Sequence, residues 1–339
     1  MPTMRDVAKK AGVSQSTVSR VLNYDSASVT LSQETIEKVL RAAEEIGYRI
    51  DPVARALKGK STGVVGIIVR RIDEFLARLL TELSATFRQA GYTTITGTAS
   101  NNPNETLRLH DLFETRFCDG LVLAADPKGL SKEQARNIFD SPNVIMTAWG
   151  IPIPGVPLVS TDNRIGAQKA MQHLLELGHE RIAFCGVDWA GDYTIRRQVY
   201  EEMMQAAGLP HENYVHLTEE GLRAGYEAGH HLLSLNPPPT AIFAAEDLMA
   251  LGVLRAAYAR GVAVPEQLSV VGFDGLPMAE FATPSLTTVH QPIAEIARRI
   301  TAILAERMSR TDPPPPETAE VVFVEPELIV RESTGPAPG

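Results

Sequence analysis

The chain of 339 residues contains only two cysteines, Cys118 and Cys185, and both lie in apolar runs. That scarcity argues against a disulfide framework or a thiolate metal site and fits buried, reduced thiols. No apolar run reaches the ~18 residues of a membrane span, and the N-terminal stretch has no signal-peptide apolar core. A cytoplasmic protein with no membrane partner is therefore expected. Dinucleotide chemistry needs G-x-G-x-x-G between the first strand and helix; that turn here is Arg70-Arg71-Ile72-Asp73-Glu74-Phe75, without glycine. There is no Walker loop and no G-x-S-x-G elbow. The eight histidines show no ligand spacing, and adjacent His230 and His231 point to different sides of a helix, as surface residues do. These absences disfavour an enzyme and imply neither cofactor nor metal.

What is present is an ordinary globular composition, 44% hydrophobic and 22% charged, long enough for two or three domains. The formal charge of −9 is unevenly spread. Residues 1–62 hold 10 Lys and Arg against 7 Asp and Glu, and the remainder 22 against 34. A basic head on an acidic body is the asymmetry expected of a nucleic-acid reader joined to something else.

That head opens with two short helices joined by a tight turn, Met4–Asn23. Thr3 and Asp6 suit a capping box, Gly12 permits the positive φ of a helix end, and Ser14 can cap the second helix. Val7, Ala8, Val13, Val18 and Val21 form the shared apolar seam. The second helix then presents Gln15, Ser16, Thr17, Ser19 and Arg20 outward, the hydrogen-bonding surface that major-groove reading requires. Ser32 can cap a third helix, about 33–46, with Ile36, Val39, Leu40, Ala43 and Ile46 at helical spacing and Gly47 as its stop. Such a headpiece (1–49) is too small to be very stable alone. Residues 24–31 read as a surface loop. Residues 50–61 follow, where Pro52 suits a helix start and Gly59 an end; a helix under two turns is marginal unaided, so this is either a linker or a segment that folds against DNA.

From Gly63 onward strands and helices alternate. Strands are predicted at 64–69, 94–98, 120–125 and 144–148, then 181–186, 214–218, 241–245 and 268–273. Helices fall at about 75–90, 104–116, 131–140, 164–177, 195–207, 221–235 and 247–260. The expected body (62–334) is two doubly wound α/β lobes. Residues 286–291 lead into a helix at about 293–308, and 321–330 supply late strand material, so the tail completes both lobes: 62–160 with 291–319, and 162–289 with 320–334. Residues after Ser333 are expected to fray.

Open α/β sheets bind ligands at the C-terminal ends of their strands. The loops there carry a set suited to a small polyol. Phe75, Trp149 and Trp189 offer flat apolar faces, Asp73, Asp162, Asp192, Glu246 and Asp274 offer acceptors, and Arg196 offers a fork of donors. Each has a plainer alternative. Asp162 and Asp247 can cap the helices that follow, the preferred reading for Asp247; Trp149 can be core packing, and Arg197 a solvated helix residue.

At this point the chain resembles, over nearly its full length, the lactose-repressor/galactose-repressor family of bacterial transcription regulators. The carrying residues are Asp6-Val7-Ala8, Ala11-Gly12-Val13-Ser14, Thr17–Asn23 and Val53-Ala54-Arg55-Ala56-Leu57. Asp162-Asn163, Gly178–Ile182, Val270–Asp274 and Leu286–Val289 add to them. The resemblance implies an all-α helix-turn-helix headpiece, a periplasmic-binding-protein-like body of two lobes, and a homodimer on a pseudo-palindromic operator. It makes Gln15 and Ser16 the base-reading pair and Arg20 a base- or phosphate-contacting arginine; Thr3, Arg5, Ser14, Thr17, Ser19 and Asn23 complete the expected DNA-binding set. In the hinge, Leu57 is the minor-groove wedge, with Ala54, Arg55 and Lys58 beside it. It places Phe75, Trp149, Arg196, Glu246 and Asp274 at effector positions, with Arg196 as clamp and Asp274 as acceptor; Asp73 and Asp192 join the expected effector set from their place in the loops.

Two departures bear on the ligand. Arg70-Arg71 replaces the usual Pro-Asp-type start of the first pocket loop, which would suit a phosphate or carboxylate. Glu246 replaces a common neutral residue, which would suit a neutral, hydroxyl-rich ligand. A sugar or glycoside is the preferred effector, and the tail lacks the apolar heptads of a tetramerising helix. The expected action is repression, with an effector in the cleft altering lobe closure and hinge separation; inducer and corepressor both remain open. The rivals are a solute receptor, opposed by the helix-turn-helix, and a sugar-modifying enzyme with a fused headpiece.

Overall fold

The computed structural model describes residues 2–23, 31–48, 61–100, 102–116, 118–125, 130–139, 141–148, 151–188, 191–310 and 319–339. They fall into two units, Met1–Gly63 and Val64–Gly339.

In the first unit α1 (Met4–Ala11), α2 (Gln15–Asn23) and α3 (Gln33–Glu45) pack on one another. The capping box forms as expected: the Thr3 N–H donates to Asp6 Oδ2 at 2.8 Å, and the Asp6 N–H donates to Thr3 Oγ1 at 3.4 Å. Gly12 ends α1 at φ 68°, a left-handed turn that lets the chain reverse into α2. Ser14 then caps α2 by accepting from the Thr17 N–H at 3.1 Å. Val7, Val18 and Val39 are fully buried, and Val13 and Val21 pack against them. Leu40 departs from the expectation, being 51% exposed. The inward stripe of α3 runs through Val39, Ala42 and Ala43 instead, because two short helices cover only a narrow face of the third.

The second unit runs β1 (Val64–Val69), α4 (Glu74–Gln89), β2 (Thr93–Thr98), α5 (Pro103–Arg116), β3 (Gly120–Ala124), α6 (Lys132–Phe139), β4 (Val144–Met146) and β5 (Leu158–Thr161). It continues with α7 (Asn163–Glu176), β6 (Ile182–Gly186), α8 (Gly191–Ala206), β7 (Val215–Leu217), α9 (Leu222–Leu232), β8 (Ala241–Ala244), α10 (Asp247–Arg260) and β9 (Ser269–Asp274). Last come α11 (Pro277–Glu280), β10 (Thr287–His290), α12 (Ile293–Ser309), β11 (Val321–Val324) and β12 (Glu327–Ile329).

Two six-stranded sheets result, ordered β11-β5-β4-β3-β1-β2 and β12-β10-β9-β8-β6-β7. Every pairing is parallel except β12 on β10. Parallel strands covered on both faces must be apolar throughout, and β1, β3, β6, β8 and β9 are buried nearly end to end. Each sheet accordingly carries two cores, one per face.

Three sequence expectations change here. Strand β5 was not anticipated, since Pro152, Pro154 and Pro157 make its approach read as loop. The tail splits later than position 320: β11 pairs with β5 in the first lobe, and only β12 joins the second. The residues after Ser333 are held, with the Ala337 N–H donating to the Leu177 carbonyl at 2.9 Å and buried His179 Nε2 3.1 Å from the Gly335 carbonyl. The chain thus passes between lobes after β5, after β10 and after β11, and the cleft lies between the two rows of strand C-termini.

Candidate functional site: an interlobe cleft and a helix face

A cavity of about 80 Å³ opens between the lobes. The first lobe supplies Arg70, Arg71 and Asp73 from the β1–α4 turn and Phe75 from the start of α4, and the second supplies Asp192, Tyr193, Arg196, Glu246 and Asp274. Phe75, Arg196, Glu246 and Asp274 are thereby brought together as expected, as are Asp73 and Asp192. Trp149 and Trp189 lie outside the described residues.

Arg196 is buried and held by two hydrogen bonds. Its Nε–H donates to Asn163 Oδ1 at 2.9 Å and its Nη1 to the Ala245 carbonyl at 2.5 Å. The guanidinium carbon lies 3.6 Å from the Phe273 ring centroid, a stacking geometry that a lysine could not reproduce. Asp274 Oδ1 stands 3.9 Å from Nη1, and accepts from Gln291 Nε2 at 2.7 Å. Asp274 itself sits at φ 130°, a strained backbone for a residue with a Cβ, at the end of β9. Glu246 accepts from the Tyr193 hydroxyl at 2.7 Å and from the Gly221 N–H at 2.5 Å.

Burial raises four of the five carboxyls that line the cleft above their ordinary range. Asp192 is pushed up to about 6, against the pull of Arg196. Asp274 rises well above its usual value despite the same arginine. Glu246 is raised although two donors hold it down, and Asp73 is raised although the Leu76 N–H opposes this. The cleft is lined by carboxyls whose charged form burial disfavours, groups suited to hydrogen-bonding hydroxyls.

The plain alternatives sort cleanly. Asp73 caps α4, accepting from the Leu76 N–H at 2.8 Å, while still lining the cavity. Asp162 caps α7 through the Ile165 N–H at 3.0 Å and does not line it. Asp247 is no cap. It is the first residue of α10, and its carboxylate accepts from the Leu276 N–H at 2.7 Å and the Thr288 hydroxyl at 2.5 Å, bracing the β9–α11 turn. Arg197 is a helix-surface residue paired with Asp188 at 3.0 Å.

Sequence reasoning missed Tyr193, Gln291, Asn163 and Glu220 as site residues. Gln291 had a signal, standing just past β10 at a strand C-terminus. Tyr193 was hidden because α8 begins at Gly191, four residues before the predicted start. Glu220 gave none: it receives both Nη groups of Arg70 at 2.8 Å, from 150 residues away.

On the headpiece, Arg5, Ser14, Gln15, Ser16 and Arg20 are exposed, and Thr17 and Ser19 are half-buried. Ser14 Oγ lies 2.7 Å from Ser16 Oγ and 2.8 Å from Thr17 Oγ1, a hydroxyl cluster at the start of α2. Thr3 is exposed and committed to its cap. The hinge positions Ala54, Arg55, Leu57 and Lys58 lie outside the described residues.

Residues 3–51 match the family described as "Bacterial regulatory proteins, lacI family", and residues 171–334 match a periplasmic binding protein-like domain. The HTH-type transcriptional repressor CytR of Escherichia coli K12 is 34% identical over 99% of this chain and 97% of its own. A transcriptional regulator CelR–cellobiose complex is 30% identical, with TM-score 0.71 over 98% of this chain and all of that one. The lac repressor dimer bound to operator and the anti-inducer ONPF shares the fold at TM-score 0.84 and 21% identity, covering 98% of this chain and 99% of that one. The chain belongs to the lacI family of bacterial transcriptional regulators, and is a ligand-responsive DNA-binding regulator rather than an enzyme.

Proposed function

We propose that this protein is a cytoplasmic repressor of carbohydrate-utilisation genes, binding a pseudo-palindromic operator as a homodimer under control of a neutral, hydroxyl-rich effector such as a sugar or glycoside. In this reading residues 1–49 read the operator, 50–61 form the hinge, and the body from 62 binds effector and partner. Gln15 and Ser16 face base edges, and Arg20 a base or phosphate. Thr3, Arg5, Ser14, Thr17, Ser19 and Asn23 hold the backbone, and Leu57 wedges the central step between Ala54, Arg55 and Lys58. Asp73, Phe75, Trp149, Asp192, Arg196, Glu246 and Asp274 take the effector.

One observation carries the choice of effector. The arginines that hinted at an anionic ligand are occupied: Arg70 and Arg71 pair with Glu220, and Arg196 with Asn163 and the Ala245 carbonyl. Five carboxyls line the cavity against three arginines that already have protein partners, a balance that favours hydroxyls over phosphate. The cellobiose bound by CelR is a ligand of this kind.

The test is a thermal-shift comparison of the full chain with neutral mono- and disaccharides against the corresponding sugar phosphates. Stabilisation by a neutral sugar is expected; preferential stabilisation by a phosphate would reverse the assignment.

A further inference from the structure

The two lobes are bound to each other at the cleft mouth by an ion pair. Arg70 stands directly after β1 in the first lobe, and Glu220 in the β7–α9 loop of the second. Their contact is a two-pronged fork, Nη1 to Oε1 and Nη2 to Oε2, both at 2.8 Å, with side chains only 12% and 7% exposed. Arg71 adds a second cation, 3.2 Å from Glu220 Oε2. A planar fork on a carboxylate is the strongest and most directional of the common ion pairs. Nearby, Arg78 of α4 donates to the Gly275 carbonyl at 2.9 Å, in the turn that carries Asp274.

The loop that holds Glu220 also touches a cleft carboxyl. The next residue, Gly221, donates its N–H to Glu246 Oε1 at 2.5 Å, and Glu246 in turn accepts from Tyr193. A continuous chain of contacts therefore runs Arg70–Glu220–Gly221–Glu246–Tyr193, from the first lobe to the wall of the cavity.

We propose that Arg70 and Glu220 form an interlobe latch that holds the cleft shut without effector and, through Gly221, positions Glu246. The regulatory consequence rests on the effector reading above. A ligand hydroxyl that engages Glu246 competes with the Gly221 N–H, displaces the loop and loosens the fork. By linkage the latch must oppose ligand entry to the same degree that the ligand opposes the latch. Glu220 and Arg70 are thus positioning residues, acting on the ligand through Glu246 and through closure.

The experiment uses the full chain without effector or DNA, so its failure is separate from any failure of the effector reading. Spin labels are placed on exposed helix ends, one in each lobe, by Gln89→Cys and Gln205→Cys, and labelled protomers are diluted with unlabelled chain. A single narrow interlobe distance is expected for the parent. Glu220→Gln and, independently, Arg70→Gln should each broaden and lengthen it by several ångström. The charge swap Arg70→Glu with Glu220→Arg should restore most of the short distance. Amide exchange at Gly221 should quicken at least tenfold in Glu220→Gln, a change that general loss of stability would spread over the whole lobe instead. Circular dichroism confirms that each variant is folded. An unchanged distance in both single variants, a swap that fails to restore it, or unaltered Gly221 exchange would overturn the latch.

Discussion

The Thr161 hydroxyl donates to Gln291 Oε1 at 2.5 Å, joining the last residue of β5 to the residue that follows β10. Both stand where the chain passes between lobes. Gln291 uses its other end on Asp274 Oδ1, at 2.7 Å. One buried amide therefore ties a cleft carboxyl to two of the interlobe crossings.

Gln291→Ala should accordingly do two things. It leaves the Thr161 hydroxyl and Asp274 without their partner in a buried setting, which costs about 1–3 kcal/mol of stability. It also frees Asp274 to change rotamer, so effector affinity should fall by about tenfold or more. Urea unfolding and ligand titration read the two separately. Retained effector affinity would remove Gln291 from the cleft machinery.

Arg196→Lys tests whether the planar fork matters rather than the charge. Lysine keeps the cation but cannot span Asn163 Oδ1 and the Ala245 carbonyl while stacking on Phe273. Loss of effector response with operator binding intact is the expected result. Intact ligand binding in this variant would show that the pocket assignment is wrong.

Leu57→Ala addresses the hinge. Specific operator affinity should drop by about tenfold to a thousandfold if a minor-groove wedge is removed, while effector affinity of DNA-free protein stays nearly unchanged. Fluorescence anisotropy on operator and ligand titration give both numbers. Equal loss in both would sink the wedge.

Local rules carried most of the fold. Strand β1 reads as a buried parallel strand because every residue in Val64–Val69 is apolar or glycine, and the caps at Thr3, Ser14 and Ser32 follow from side chains three residues away. What failed was set by distant partners. Strand β5 exists because β4 and β11 flank it, not because of its four residues. Asp247 looked like a cap from its neighbours, yet its bonds go to Leu276 and Thr288, 29 and 41 residues on. The Arg70–Glu220 pair spans 150 residues and left no local trace, although Arg70 itself stood out as unusual.

Helices α9 and α10 cross where Gly225 and Gly252 face each other's backbone, so a Cβ on Gly252 would meet the Leu222 carbonyl and the Tyr226 nitrogen. Neither atom can swing aside as a side-chain tip can. Gly252→Ala should cost at least about 1–3 kcal/mol in urea unfolding. A neutral substitution would mean that the helices separate freely.

The cleft carboxyls make stability depend on pH in a direction opposite to that of an ordinary paired carboxylate. Asp192 ionises near 3.8 when unfolded and about 6 when folded. Below the lower value it is protonated in both states, and above the upper value it is ionised in both. Between them the folded state holds more protons, so this group's contribution to stability declines as pH rises from about 4 to about 6. Asparagine has no charge to desolvate and mimics the protonated form. Asp192→Asn should therefore gain stability relative to the parent across that window, and the difference between the two proteins should be flat above about pH 7. Urea midpoints measured in parallel at pH 4, 5, 6 and 7.5 give that difference directly and cancel the histidines, which both proteins share. A gap that stays constant through the window would place Asp192 in water, and one that closes as pH rises would mean that the fold stabilises its charged form; either overturns the burial reading.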